Sequence, residues 1–469
     1  MHARVVVAVV VLLAIVGYAV ADAVDIAPGV LTLAPTPTPP AVRPMKPPPT
    51  DPAPIAAGPA LDVLSPTALA PTPAGVASAL RPLLSAPALG PRVSSYVVDV
   101  ASAQVLFDQD ADEAMVPASS TKLLTAAAVL SSVGGSTRLL TRVVQGDSPD
   151  EVVLVGGGDM LLGLGRSRAS VQGRAGLGDL AEQVAAALAG GGQSRVAVRV
   201  DDSLFAGPPE PPSWQPGDLA TGYAGRVAAL GLATDRARPG HPSSVDPAMT
   251  AAVAFASALG KAGVAVVGRP ARSLAPIGAQ VLGTVESAPV ADVLGVALLE
   301  SDNALAEVMA RLTSNAMGRA TSSGDAAMAV LDPVQEIGVD VGSTRLVDGS
   351  GLGRGSAVPA RVLGQVLLLA AGPDHPALRP LLGGLPVAGF TGTLAERFTA
   401  PRTRAAAGSV RAKTGTLTGA AALAGSTVDA DGRLLVFVVM ADRIPADGTA
   451  AARSASDRVG AALAACGCR

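Results

Sequence analysis

A serine followed three positions later by a lysine, at the mouth of an otherwise apolar helix, constrains this chain more than any other feature. The stretch runs Pro117-Ala118-Ser119-Ser120-Thr121-Lys122-Leu123-Leu124-Thr125-Ala126-Ala127-Ala128-Val129-Leu130. Residues three apart share a helix face, so Lys122 should lie one turn behind Ser119 with its amine near the hydroxyl. Pro117 and the serines are start signals, and Gly134-Gly135 is a stop. The Ala, Leu and Val residues after Lys122 bury the helix, and burial lowers a lysine pKa toward the neutral, basic form. That is what a serine nucleophile needs from its neighbour. Alone, Ser-x-x-Lys equally describes a helix cap with a snorkelling lysine, so the rest of the chain has to decide.

Composition removes several alternatives. At 469 residues, 49 % of them hydrophobic, the chain has length for two or three domains and material for a large core. A net charge of −3 with no basic cluster argues against nucleic acid as a partner. His2, His241 and His375 stand in no cluster with metal spacing, so neither a metal nor a cofactor is expected. No G-x-S-x-G elbow accompanies them, which weakens a Ser-His-Asp hydrolase. Cys466 and Cys468 close the chain, either as a very small disulfide loop or as free thiols, with no catalytic part in either case.

Met1-His2-Ala3-Arg4 and the apolar run Val5 to Val20 read as a leader with a small-residue cleavage site near Ala21. The run sits at the lower limit for a bilayer span of roughly 20 residues. Residues 1–23 are therefore a removed signal peptide or a retained membrane anchor, and both export the rest of the chain. Residues 24–79, rich in Pro-Thr-Pro-Thr-Pro-Pro and Lys-Pro-Pro-Pro, read as an extended, disordered linker. Order is expected from near Leu80, with a hairpin over residues 95–108 and the Ser119 helix forming the first part of a catalytic domain, 80–140.

Residues 141–284 change character. Strand candidates (Glu151–Val155, Arg195–Val200, Val264–Val267) alternate with glycine turns and helices near 179–189 and 247–259. Gly156-Gly157-Gly158-Asp159 lacks the Gly-Lys-Ser/Thr ending of a phosphate loop and reads as a tight turn. Asp201-Asp202-Ser203 reads as a solvated turn. This region is taken as an inserted domain without chemistry of its own. The catalytic domain resumes over 285–469, with Ser287-Ala288-Pro289 opening a long helix that carries Ser301-Asp302-Asn303. Polar residues inside an apolar helix carry a propensity penalty, tolerated where a helix breaks to present side chains. Val410 to Leu417 is a strand holding Lys413-Thr414-Gly415, followed by a hairpin over 421–440 and a helix over 449–464.

Ser119-x-x-Lys122, Ser301-x-Asn303 and Lys413-Thr414-Gly415 appear in the order and settings of the serine penicillin-recognising enzymes. From about Pro82 onward the chain resembles the D-alanyl-D-alanine carboxypeptidase/endopeptidases of the penicillin-binding protein 4 type, peptidase family S13. Asp348-Gly349-Ser350-Gly351-Leu352 and the stretch Leu385 to Leu394 look like that family's recurring segments, as do the glycine turn before Asp159 and Asp201-Asp202-Ser203. The long separation of Ser119 from Ser301 suits its inserted domain, here shorter than in larger members. The resemblance implies an α+β fold: a β-lactamase-like antiparallel sheet flanked by helices, with a second domain between the first two motifs.

The resemblance also implies roles. Ser119 attacks the carbonyl of the penultimate D-alanine, and Lys122, kept neutral by burial and by nearby Lys413, takes its proton. Ser301 relays a proton to the leaving amine, Asn303 binds the substrate backbone, and Lys413 supplies positive charge. Thr414 and Thr416 bind the terminal carboxylate, and Gly415 admits the substrate close to the strand. The N–H groups of Ser119 and Thr416 form the oxyanion hole, while Asp302 holds the helix break. Partners would be peptidoglycan peptides ending in D-Ala-D-Ala and β-lactam inhibitors, met outside the cytoplasm. Crosslink cleavage is a second activity open to the same site. A class A β-lactamase needs a deacylating Glu-x-x-Leu-Asn, which Glu336 to Asp340 does not provide; a silent wall-binding protein would not keep every motif side chain.

Overall fold

Hydrophobic alternation on both faces of a sheet is what places the Ser119 helix. The computed structural model describes residues 12, 15–20 and 68–469, and residues 15–20 are helical. The rest of the leader over 1–23, and the linker up to residue 67, lie outside the described residues. Among the described residues no helix is long and apolar enough to cross a membrane. The central sheet is antiparallel and runs Arg411–Leu417, Ala420–Val428, Leu434–Asp442, Arg92–Asp99, Val105–Gln109. The three C-terminal strands thus complete the sheet begun by the expected hairpin.

Successive residues of a strand face opposite sides. Val97, Leu423, Phe437 and Val439 bury one face beneath Val76, Leu80 and Val459, from helices Pro73–Leu84 and Thr449–Ala464. Tyr96, Val98, Ala424 and Val438 bury the other beneath Leu123, Leu124 and Leu363. Gly364 lets helix Ala360–Ala371 close onto this face, because a Cβ there would collide with the Tyr96 ring. Buried apolar area of this kind stabilises at about 25 cal/mol per Å², and here it fixes the nucleophile helix against a rigid plate.

A second, mixed sheet runs Ala271–Arg272, Arg195–Asp201, Glu151–Val155, Arg138–Gln145, Val281–Pro289, with Ala265–Val266 also pairing with Arg195–Asp201. Helix Leu177–Gly190 lies against both the Val281–Pro289 strand and helix Pro247–Lys261. The expected boundaries at 141 and 284 fall inside two paired strands, and Arg138 is opposite Pro289. The described residues from 68 to 469 belong to one compact unit.

Three local expectations change. Helix Pro73–Leu84 lies partly within the stretch read as linker. Thr72 caps it by accepting from the Gly75 N–H at 3.1 Å, Pro73 begins it, and Val76, Leu80 and Leu84 recur at helical spacing. Those signals are present but sit among prolines. Ser287 does not cap the helix and Pro289 is not inside it; both end the Val281–Pro289 strand, where Ser287 Oγ accepts the Leu139 N–H at 2.9 Å, and the helix begins at Val290 with Pro289 as its N-cap residue. Finally, the long helix is two, Val290–Leu299 and Asn303–Ala316.

Candidate active site

The break between those two helices presents the second motif. Ser301 has φ +57°, a left-handed conformation that costs a non-glycine residue on the order of 1–3 kcal/mol. Asp302 then restarts the helix by accepting the Leu305 N–H at 2.9 Å. The kink turns Ser301 Oγ toward Lys413 Nζ, 2.9 Å away, and Asn303 Oδ1 toward Lys122 Nζ, 2.6 Å away. Asp302 therefore does hold the break.

Ser119 lies in a 3-10 turn, Ala118–Thr121, and the α-helix proper starts at Lys122. No side chain caps it; the turn is held from outside. Lys122 donates to Ser119 Oγ at 3.0 Å and to the Ser350 carbonyl at 2.8 Å as well as to Asn303. Three acceptors around one ammonium fix the amine beside the nucleophile. Ser119, Lys122 and Asn303 thus form one hydrogen-bonded group and Ser301 with Lys413 a second, the two joined through the backbone of the kink between Ser301 and Asn303.

The loop that supplies the Ser350 carbonyl is built around Asp348. Its carboxylate accepts from the N–H groups of Ser350, Gly351 and Gly353, and from Trp214 Nε1 at 3.0 Å and Ser213 Oγ at 3.2 Å. Thr125 on the nucleophile helix donates to the Gly349 carbonyl at 2.6 Å. Gly351, at φ +76°, has no room for a Cβ because the Ala118 carbonyl occupies that space. Behind the loop, buried Glu307 accepts from the Gly349 N–H at 2.6 Å and from Ser323 Oγ at 3.2 Å.

Burial sets the electrostatics. Lys122 is 1 % exposed, and desolvation pushes it down to about 8 against the pull of the Asp348, Asp302 and Glu307 carboxylates. A lysine so placed is partly neutral near physiological pH and able to accept a proton. Burial also lowers Lys413 well below the usual lysine range, reinforced by the charges of Lys122 and Arg397. Lys413 therefore supplies less standing charge than its role implied, and a neighbouring carboxylate would raise its proton affinity again. Burial pushes Glu307 up to about 8, so this acid is largely protonated behind the lysine.

The Lys413 strand is an edge of the central sheet. Pro386 and Ala388 cover its start through backbone bonds to Ala412 and Val410, before Thr414 to Thr416 are reached. Thr414 Oγ1 pairs with Thr393 Oγ1 at 2.8 Å, and Thr416 is exposed. The missing side chain of Gly415 faces the Pro117 carbonyl and Ser120 Oγ. Its absence is what lets the Ser119 turn sit against the strand, a different reason for glycine from the one expected.

Residues without a motif complete the site. The Tyr223 carbonyl accepts from Asn303 Nδ2 at 2.7 Å, fixing which end of that amide meets Lys122. Trp214, Ser213 and Tyr223 all come from the region read as chemically silent. Backbone carbonyls and lone ion-pair partners leave no spacing signal; only the Asp348 loop was visible, as a glycine-rich stretch without an assigned partner.

Comparison with known proteins adds the family context. The profile of the D-Ala-D-Ala carboxypeptidase 3 (S13) family matches residues 76–240 and 237–463. Carboxypeptidase DacB of Mycolicibacterium smegmatis is 37 % identical over 427 residues, 90 % of this chain and 90 % of the relative. A D-alanyl-D-alanine carboxypeptidase of an Actinomadura species is 28 % identical over 442 residues, covering 76 % of this chain and 79 % of the relative. The crystal structure of penicillin binding protein 4 from Haemophilus influenzae superposes with a TM-score of 0.66 at 20 % identity, covering 82 % of this chain and 97 % of that one, which speaks to the fold.

Proposed function

The chain belongs to the D-Ala-D-Ala carboxypeptidase 3 (S13) family, and on that premise we propose how its side chains carry the reaction. It is a serine-type D-Ala-D-Ala carboxypeptidase, a hydrolase of peptidoglycan peptides on the cell-wall side of the membrane. The observation that carries the residue assignment is the 3.0 Å contact between Ser119 Oγ and an amine lowered to about 8.

In this reading Lys122 Nζ takes the Ser119 proton as Oγ attacks the penultimate D-alanine carbonyl. The Ser119 and Thr416 N–H groups receive the developing oxyanion, a kind of contact worth about 3–4 kcal/mol per donor. Collapse breaks the peptide bond, and the proton held at Lys122 passes through the Ser301 hydroxyl to the departing amine. Water then attacks the acyl-enzyme, giving a proton to Lys122, which passes it to Ser119 Oγ as the ester bond breaks and the peptide acid leaves. Asn303 orients the substrate backbone. Lys413, Thr414 and Thr416 receive the terminal carboxylate, which would also restore the proton on Lys413.

The reading extends to organisation: residues 141–284 as the core of an insert in the catalytic body, and the N-terminal stretch as the export signal or anchor. N-terminal mass of the exported protein distinguishes the two fates of the leader. For the site, a fluorescent penicillin followed by peptide mapping should place the penicilloyl adduct on Ser119, and Ser119→Ala should abolish labelling without changing Tm. An adduct on another residue overturns the assignment. Mass spectrometry of muropeptides after incubation reads terminal D-alanine release directly and shows crosslink cleavage if the site performs it.

A further inference from the structure

Arg236 lies in the segment between the first and second motifs, yet its guanidinium reaches both acids flanking Ser301. Nε and Nη2 donate to Asp302 Oδ2 at 3.0 and 2.6 Å, and Nη2 also donates to Glu300 Oε2 at 2.9 Å. The Arg236 side chain is 4 % exposed, Asp302 9 %, and Glu300 42 %. A planar fork on two carboxylates two residues apart fixes their spacing in a way that a point charge cannot. The residue between them is the one held at φ +57° with its hydroxyl on Lys413.

We propose that Arg236 is a positioning residue for the Ser301 kink, clamping Glu300 and Asp302 so that Ser301 Oγ stays on Lys413 and Asn303 Oδ1 stays on Lys122. The inference rests on the roles assigned above to Ser301 and Asn303. Three features favour it over a merely structural ion pair. Asp302 already spends its other oxygen on capping the Leu305 N–H, so Arg236 is the partner left to hold the carboxylate in orientation. The left-handed Ser301 has no glycine to relieve it and depends on neighbours that over-determine the backbone. Asp302 also acts on Lys122 electrostatically, alongside Asp348 and Glu307. Arg236 therefore offsets the Asp302 carboxylate, which favours the charged form of the base, while Lys413 acts on the same amine from the strand.

A mutant cycle tests this. Acylation rate constants with a fluorescent penicillin are measured for wild type, Arg236→Ala, Ser301→Ala and the double variant, with Tm for each. Arg236→Ala should slow acylation about tenfold or more in the wild-type background and less than about threefold in Ser301→Ala, because coupled residues are non-additive. The acid limb of its pH profile should move to higher pH, since an uncompensated Asp302 carboxylate favours the charged amine. Arg236→Lys, which keeps charge without the fork, should recover the pH profile more than the rate. If Arg236→Ala does not fold, Glu300→Gln goes through the same cycle with the same criterion. Equal losses in both backgrounds, or no loss at all, overturn the inference alone. Wild-type acylation by Ser301→Ala overturns the proposed role of Ser301 and the inference with it.

Discussion

The nucleophile turn and the Lys413 strand differ in kind from the loops that the second sheet sends toward them. The first pair supplies groups that can react: Ser119 Oγ, the Lys122 amine, the Lys413 amine. The second supplies groups that hold: the Tyr223 carbonyl on Asn303, Trp214 and Ser213 on Asp348, Arg236 on Asp302. Most of the holders are anchored at buried or nearly buried atoms, where a hydrogen bond lost leaves an expensive orphan. A reacting centre can thus be assembled on one rigid plate while its tolerance is set by another region.

The sharpest way to break this comparison is to remove the base. Lys122→Met should lower acylation by about 10²–10⁴, the usual range for a general base, and Lys122→Arg should not restore it, because arginine stays protonated. In the wild type the acylation rate should rise with pH through a midpoint near 8 and then level, as the amine loses its proton. Retained activity in Lys122→Arg, or a flat profile between pH 6 and 10, would remove Lys122 from the reacting set.

Next in size is the carboxylate. If Lys413, Thr414 and Thr416 read a free C-terminus, charge-assisted bonds of roughly 1.5–3 kcal/mol each are at stake. Amidating the terminal D-alanine should then reduce kcat/KM at least about thirtyfold, and Thr416→Val should flatten that preference while still suiting a strand. Matched D-alanine-release assays on acid and amide decide it; equal rates would place the strand among the holders.

The smallest effect belongs to the second region. Trp214→Phe keeps an aromatic ring but removes the Nε1–H bond to Asp348, a charge-assisted bond whose loss should cost about 1–3 kcal/mol of stability, although Gly353 and Ser213 still donate to the same oxygen. Acylation should fall only severalfold, because Ser350 reaches Lys122 through a loop that keeps its other bonds. A loss as large as that of Lys122→Met would erase the distinction between reacting and holding.

What could be read from the sequence follows the same division. The unbroken apolar runs Tyr96 to Val98 and Leu434 to Ala441 announce strands buried on both faces, and Ser119-x-x-Lys122 announces a helix face. Ser301-Asp302-Asn303 signalled a break through its polarity, and the structure gives that break a φ of +57°. Arg236, Trp214 and Tyr223 were illegible for a physical reason. Each acts through long-range contacts, to a partner 66 (Arg236 to Asp302), 134 and 80 positions away in sequence, and no periodicity marks such contacts. Helix Pro73–Leu84 was obscured by its surroundings, since proline at a helix start and proline in a linker look alike until the apolar spacing is read. The lowering of both Lys122 and Lys413 depends on burial that no motif encodes.

The bond between Thr72 and Cys468 decides where a mechanical load would enter the molecule. The Thr72 N–H donates to the Cys468 carbonyl at 2.7 Å, and helix Pro73–Leu84 packs along Thr449–Ala464. Tension carried by the chain ahead of Thr72 would therefore be delivered in shear to two helices at the chain's meeting ends. Those helices cover the sheet face opposite the one that bears Leu123 and Leu124. One layer of five strands bonded edge to edge therefore separates that junction from the nucleophile. The Thr72–Cys468 junction and the Ser119–Lys122 contact thus lie on opposite faces of one sheet, so a disturbance of the first has to cross that sheet to reach the second.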